Sequence, residues 1–141
     1  MTADLSHSPA TIQPVGTNGI RGRAIALAGL LLGMGALHFL MPKPFDTLIP
    51  PQLPGEPRTY THVSGAAELT AGALLAIPRT RGLGARLAAL LFVAVFPGNL
   101  YMAYDWLSSD RALPLKAGAL LRLPLQIPLV LTARRVYRAV R

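Results

Sequence analysis

The sequence predicts an all-α fold, a transmembrane four-helix bundle, from three observations. Apolar residues make up 52% of the 141 residues and charged residues only 14%, against roughly 25% charged residues in soluble domains. Four apolar runs are long enough for a bilayer core of about 30 Å. The runs lack the alternating pattern of barrel strands, and in hydrocarbon their backbone groups must then be paired within helices.

The four predicted spans cover residues 24–41, 62–78, 87–104 and 117–133. Each span carries one strongly polar side chain in an apolar segment, and these are His38, Glu68, Asn99 and Arg122. An isolated charge in the middle of a membrane helix costs about 2.5–3.5 kcal/mol on insertion scales. We therefore expect the four side chains to face one another rather than lipid.

Basic residues set the orientation of the predicted bundle. Nine of them fall on one side if the chain crosses four times, namely Arg21, Arg23, Arg79, Arg81, Arg86, Arg134, Arg135, Arg138 and Arg141. The other side has four, namely Lys43, Arg58, Arg111 and Lys116. This bias predicts that both termini are cytoplasmic, in a multi-pass protein of a bacterial-type inner membrane. The basic residues border the spans and form no single stripe, so a nucleic-acid partner is not expected despite the net charge of +8.

Two segments outside the spans have distinct compositions. Residues 1–20 are rich in Ser, Thr, Pro and Gly and are predicted to be a disordered tail, which leaves residues 21–141 as the membrane domain. The loop over residues 42–61 contains six prolines, which predict a stiff, extended outer loop without helix. The chain has no cysteine, so thiol chemistry is excluded, and no metal site is predicted.

The four polar side chains lie at one depth. Each is four to six residues inside the outer boundary of its span, or about 6–9 Å at the helical rise. We expect Glu68 and Arg122 to form a buried ion pair, with His38 and Asn99 hydrogen-bonded to it. Gln126, one helical turn after Arg122, is the fifth candidate in this cluster.

Small residues around Glu68 predict close helix packing. Ser64, Gly65 and Gly72 lie three or four residues from it on the same helical face. Pro97, two residues before Asn99, removes one helical hydrogen bond beside the cluster. Two interpretations stay open. The cluster is either a structural clamp that fixes the helix neighbours, or a pocket for the polar head of a quinone, isoprenoid or lipid.

Several motifs together resemble the DoxX-like membrane proteins. They are "HF" at the end of the first span, "FDTLIPPQLP", "YTHVSGAAELTAGALL", "PRTRGLGA" and "FVAVFPGNLYMA". The resemblance covers residues 33–135 and implies a small inner-membrane bundle of four spans. The family is named for a subunit of a thiosulfate:quinone oxidoreductase. Through it, His38, Glu68 and Asn99 match motif positions, whereas Arg122 is chosen from its depth alone.

Three functions follow as expectations. The first is an accessory subunit, or a binder of a lipid-soluble molecule, that is not an enzyme on its own. The second is a component of a quinone-linked membrane oxidoreductase in which Glu68 and His38 transfer protons. The third is an oligomeric transporter. A quinone is the candidate cofactor, and the expected partners are membrane lipid, other membrane redox subunits or further copies of the chain. No residue is assigned a catalytic role.

Overall fold

The computed structural model describes residues 16–141, and within that range the chain is helical without any strand. The six helices are α1 (Thr17–Leu40), α2 (Pro42–Asp46), α3 (Pro57–Ala76), α4 (Arg81–Ala94), α5 (Phe96–Ser108) and α6 (Leu113–Ala139). The all-α prediction is thus confirmed for this part of the chain. Most of the predicted disordered tail lies outside the described residues, and its last residues belong to α1, which begins at Thr17.

Three helical segments between residues 16 and 141 are long and apolar enough to cross a membrane. They are Thr17–Leu40, Arg81–Ser108 and Leu113–Ala139. The predicted span at residues 62–78 corresponds to α3, which does not meet this criterion. The reason is composition, because α3 carries Arg58, His62, Glu68 and several hydroxyl side chains within its 20 residues.

Helices α1 and α3 pack directly against each other through glycines. A Cβ at Gly35 would lie 2.9 Å from the carbonyl oxygen of Gly65, and one at Gly72 would lie 3.1 Å from the carbonyl oxygen of Ala28. Gly35 therefore lies opposite Gly65, and Ala28 lies opposite Gly72, so the two helices run antiparallel. Backbones approach this closely only where no side chain intervenes.

The long apolar segment after α3 is broken into α4 and α5 at Val95. Pro97 lies in the first turn of α5, where backbone N–H groups have no partner within the helix, so the missing N–H costs no hydrogen bond of α5. The break separates two sets of neighbours. Helix α3 packs on α4, whereas α5 packs on α6 and makes at most minor contact with α3. Space is therefore left between α3 and α5.

Helix α6 runs unbroken over 27 residues, with Pro124 and Pro128 inside it. It packs along both α4 and α5 and more lightly on α1. By spanning the break at Val95, α6 holds the two halves of that segment together.

The prediction of an outer loop without helix is wrong at two places. Pro42 and Pro44 lie in α2, and Pro57 is the first residue of α3. Proline is tolerated in a first helical turn, because the N–H groups there have no partner within the helix. Prolines in this loop therefore start two helices instead of forbidding them.

The interior is built mainly from small side chains. Five alanines are fully buried, namely Ala24, Ala71, Ala85, Ala88 and Ala133. Many large apolar side chains are instead exposed on the outside, among them Ile25, Leu30, Leu90, Leu121, Leu125 and Ile127. Small residues at helix contacts and large apolar residues on the outer face are typical of proteins packed in lipid.

Candidate functional site

A cavity of about 480 Å³ lies where α5 departs from α3. Ligand pockets in proteins commonly have about 300–1,000 Å³. It is lined by α1, α3, α5 and α6, by Phe45 of α2, by the end of α4 and by the segment that links α2 to α3. Its polar lining side chains are His38, Gln52, Tyr60, Thr61, Ser64, Glu68, Asn99 and Arg122. The four side chains predicted to lie at one depth thus all line one cavity.

His38 connects the backbone of its own helix to Glu68. Its Nδ1 lies 2.7 Å from the carbonyl oxygen of Met34 and 3.2 Å from Oε2 of Glu68. A carbonyl oxygen only accepts hydrogen bonds, so Nδ1 carries a proton. The Met34 carbonyl is the nearer acceptor of this N–H, and Glu68 Oε2 is the more distant one. Both side chains are largely buried, at 9% exposed for His38 and 13% for Glu68.

Glu68 keeps unused acceptor capacity. Its Oε2 is buried, and apart from the shared His38 Nδ1 no hydrogen-bond donor reaches it from residues 16–141. A buried carboxylate oxygen without a donor is costly, on the order of 1–3 kcal/mol or more for a charged group. The Glu68 carboxylate is thus incompletely paired within the protein, and its 13% exposed side chain lines the cavity.

Helix α2 covers the imidazole ring of His38. The ring of Phe45 stacks on the imidazole with centroids 3.9 Å apart. The next residue, Asp46, ties α2 to α3, because its carboxylate accepts hydrogen bonds from the Thr61 hydroxyl at 2.6 Å and from Arg58 Nε at 2.9 Å. We call these three residues, Asp46, Arg58 and Thr61, the α2 latch.

The latch shifts the ionisation of Asp46. Partial burial of the carboxyl works to raise its pKa, but the hydrogen bonds from Thr61 and Arg58 and the positive charge of Arg58 outweigh burial. The pKa of Asp46 therefore lies below its ordinary value of 3.8. The carboxylate of the latch is ionised at neutral pH.

Asn99 and Gln126 form a second polar pair on the opposite wall. Asn99 Nδ2 donates to Gln126 Oε1 at 2.8 Å, and Gln126 Nε2 donates to the carbonyl oxygen of Phe92. Phe92 lies in the last turn of α4, where helix carbonyls lack a partner within the helix. Gln126 thus donates a hydrogen bond to a carbonyl at the C-terminal end of α4 and accepts one from Asn99.

Arg122 does not pair with Glu68, so the predicted ion pair is wrong. Within residues 16–141 the ion pairs are His38 with Glu68 and Arg58 with Asp46. Arg122 lies on the exposed side of α6 and lines the cavity without a hydrogen-bond or ion-pair partner in that range. Helices α3 and α6 are not packed neighbours, whereas α1 and α3 are, and this is why Glu68 meets His38 instead.

The remaining predicted residues divide between cavity and helix contact. Ser64 and Pro97 line the cavity. Gly65 and Gly72 face α1. Gln126 is buried beside Asn99 and does not itself line this cavity. No group of three His, Cys, Asp or Glu side chains in the described part of the chain converges as a metal site would require.

Sequence reasoning missed Phe45 and the α2 latch. The signal was present in "PKPFD", where two prolines precede a Phe and an Asp, and in "PRTYT", where Arg58 and Thr61 lie on one helical face. Proline in a first turn, followed by side chains one turn apart, indicates a helix start rather than an extended loop.

Comparison with known families gives one match. Residues 27–137 match the family described as "Domain of unknown function (DUF8561)". The chain belongs to this family. The matched range runs from α1 to near the end of α6 and so includes every residue that lines the cavity. No curated protein and no solved structure matches the chain significantly. The resemblance to DoxX-like proteins stays a prediction.

Proposed function

We propose that this DUF8561 protein is an integral membrane protein that binds the polar head of a lipid-soluble molecule in the cavity between α3 and α5. The chain crosses a bacterial-type inner membrane four times with both termini in the cytoplasm. The bound molecule is a quinone, an isoprenoid or a lipid. The protein acts as an accessory subunit or as a binder of this molecule, and not as an enzyme on its own.

The antiparallel contact between α1 and α3 supports a fourth crossing. Helix α1 is apolar enough to span the membrane, and α3 lies along it from Gly65 to Gly72. Helix α3 also packs on α4, which belongs to another candidate span. A helix that lies along two spanning segments shares their depth. Its polar residues Ser64 and Glu68 then face the cavity rather than lipid.

The single observation that carries the proposal is the cavity itself. Its walls include Leu48, Ile49, Leu53, Leu91 and Val95, and its polar residues come from all four long helical segments. Apolar walls with a few convergent polar groups are typical of sites for small amphipathic molecules. A structural clamp alone would require the polar groups to satisfy one another, whereas Glu68 and Arg122 do not.

Mass spectrometry of the purified protein tests the proposal. The chain is extracted in a mild detergent, and the small molecules that stay bound are compared with those of a variant whose cavity is filled. Ala67 lines the cavity, whereas Ala66 beside it is exposed. Ala67→Phe should abolish retention, and Ala66→Phe should leave it unchanged. Equal retention by the two variants, or no bound molecule in the unaltered chain, contradicts the proposal.

The His38–Glu68 pair favours a second candidate function. An imidazole and a carboxylate 3.2 Å apart in a cavity are suited to pass a proton to or from a bound quinone. The chain would then be a component of a quinone-linked oxidoreductase, as the DoxX-like resemblance implies. Quinone reduction is measured with membranes and candidate electron donors. Loss of the reaction in Glu68→Gln, with quinone still bound, supports this function.

A further inference from the structure

Two opposite charges line the cavity without touching each other. Glu68 lies on α3, Arg122 lies on α6, and the two helices are not packed neighbours. Neither charge has a full set of partners within residues 16–141, since Glu68 Oε2 shares only the His38 Nδ1 and Arg122 has no partner. In a weakly polar surrounding, opposite charges that cannot meet favour a dipole placed between them.

Three other polar side chains of the cavity already donate hydrogen bonds within the protein, whereas Gln52 and Ser64 line the cavity as neutral groups. The Tyr60 hydroxyl donates to the carbonyl oxygen of Pro54, and the Thr61 hydroxyl donates to Asp46. Asn99 donates to Gln126. Glu68 and Arg122 are the acidic and the basic side chain of the lining, and they set the charge pattern that a ligand head meets.

From this we infer that the cavity takes a zwitterionic amphiphile whose head carries both an N–H cation and an oxyanion, as a phosphoethanolamine head does. The inference rests on the proposed function and specifies its ligand. The ammonium group donates to the Glu68 carboxylate, which lines the cavity and is 13% exposed. The phosphate accepts from the guanidinium of Arg122, whose planar fork binds two oxyanion oxygens at once.

The arrangement of charges disfavours simpler heads. A purely anionic head would gain Arg122 but would be placed beside the Glu68 carboxylate. A quinone offers oxygens to Arg122 but no donor to Glu68. A choline head has the right charge but no N–H, so the Glu68 carboxylate would gain no hydrogen bond from it.

The apolar walls indicate that the ligand has a hydrocarbon chain. Leu48, Leu53 and Val63 line the cavity, and Val63 is 64% exposed on α3. A head held between Glu68 and Arg122 can thus extend its chain past these residues. Free phosphoethanolamine would leave this apolar surface uncovered and should bind much more weakly than an amphiphile with the same head.

Binding of four probes to the full chain in a neutral maltoside detergent tests the inference. The probes are dodecylphosphoethanolamine, dodecylphosphocholine, dodecyl phosphate and free phosphoethanolamine, and affinities come from calorimetric titration. The first probe should bind about tenfold or more tightly than each of the others, because one charge-assisted hydrogen bond separates it from the choline probe.

Variants of the two charged residues assign the contacts. Glu68→Gln should remove the preference for ethanolamine over choline. Arg122→Gln should weaken both zwitterionic amphiphiles by about tenfold without unfolding the chain, since Arg122 is exposed and unpaired in the range described. Arg111→Gln is the matched control, because Arg111 lies over the Trp106 ring outside the cavity and should change no affinity.

Failure of the inference and failure of the proposed function look different. Equal affinity of the three amphiphiles, or equal binding by free phosphoethanolamine, overturns the zwitterionic head while a binding cavity remains. Unchanged affinities in both Glu68→Gln and Arg122→Gln also overturn it. Absence of binding by every amphiphile, together with no retained molecule in the unaltered chain, overturns the proposed function itself.

Discussion

Gly65 of α3 lies so close to His38 of α1 that a Cβ on Gly65 would be 2.7 Å from the Cβ of His38. Gly65→Ala must therefore push the two helices apart, and overpacking of this kind costs about 1–3 kcal/mol. The free energy of unfolding in detergent should fall by that amount. Gly33→Ala on the same helix as His38 meets open space and should cause no loss. Equal stability of the two variants would show that α1 and α3 are not in contact here.

Double-mutant cycles should show that Glu68 is coupled to His38 and not to Arg122. His38 and Glu68 are 3.2 Å apart, and residues in contact typically show coupling energies of about 0.5–3 kcal/mol. We expect about 1 kcal/mol for His38→Ala with Glu68→Ala, measured by thermal unfolding. Arg122→Ala with Glu68→Ala should be additive within about 0.5 kcal/mol. A larger coupling energy for Arg122 with Glu68 than for His38 with Glu68 would support an ion pair between α3 and α6.

Gln126→Leu should destabilise the chain more than Asn99→Leu. The loss of Gln126 leaves two buried groups unpaired, the Asn99 amide and the Phe92 carbonyl, and each costs about 1–3 kcal/mol. The loss of Asn99 leaves only one, Gln126 Oε1. Chemical unfolding of both variants measures the order. A smaller effect for Gln126→Leu would mean that the end of α4 finds another donor.

The α2 latch should lose its stabilising effect in acid. The folded pKa of Asp46 lies below 3.8, so its contribution is fully present above that pH and is lost as the pH falls through the folded pKa. At pH 7, Asp46→Asn should cost about 0.5–1 kcal/mol, and the difference from the unaltered chain should shrink below pH 3.8. Asp110→Asn, at an exposed site without a hydrogen bond in the described structure, is the matched control and should leave the stability at pH 7 unchanged.

The sequence predicts the depth of a polar side chain in the bundle, but not which side chain of another helix it meets. Counting residues from a span boundary gives the height of a side chain, and His38, Glu68, Asn99 and Arg122 do line one cavity. Which of them meet depends on the order of helices around the bundle, which counting does not reveal. Because α3 packs on α1 and not on α6, Glu68 pairs with His38 and not with Arg122.

Composition alone does not predict the helix break at Val95 either. An apolar run from α4 into α5 has the same character on both sides of Pro97, so the sequence indicates one span. The position of the break decides which half of the segment contacts α3, and the cavity follows from it. The glycines at Gly65 and Gly72, by contrast, mark the contact with α1 because only a missing side chain permits so close an approach.

Cysteine labelling tests the proposed membrane topology. The chain has no cysteine, so single introduced cysteines can be labelled without background. If α3 crosses the membrane and the termini are cytoplasmic, an impermeant maleimide added outside should label Gln52→Cys and Asp110→Cys but not Arg79→Cys. If α3 stayed on the outer surface, Gln52→Cys and Arg79→Cys would react and Asp110→Cys would not. An inverted bundle would react at Arg79→Cys alone.

Labelling after permeabilisation is the control, and all three positions are exposed on the protein surface, so each should then react. The first pattern is expected, since α3 lies along α1 at Gly65 and Gly72 and would otherwise leave the apolar face of a spanning helix in water.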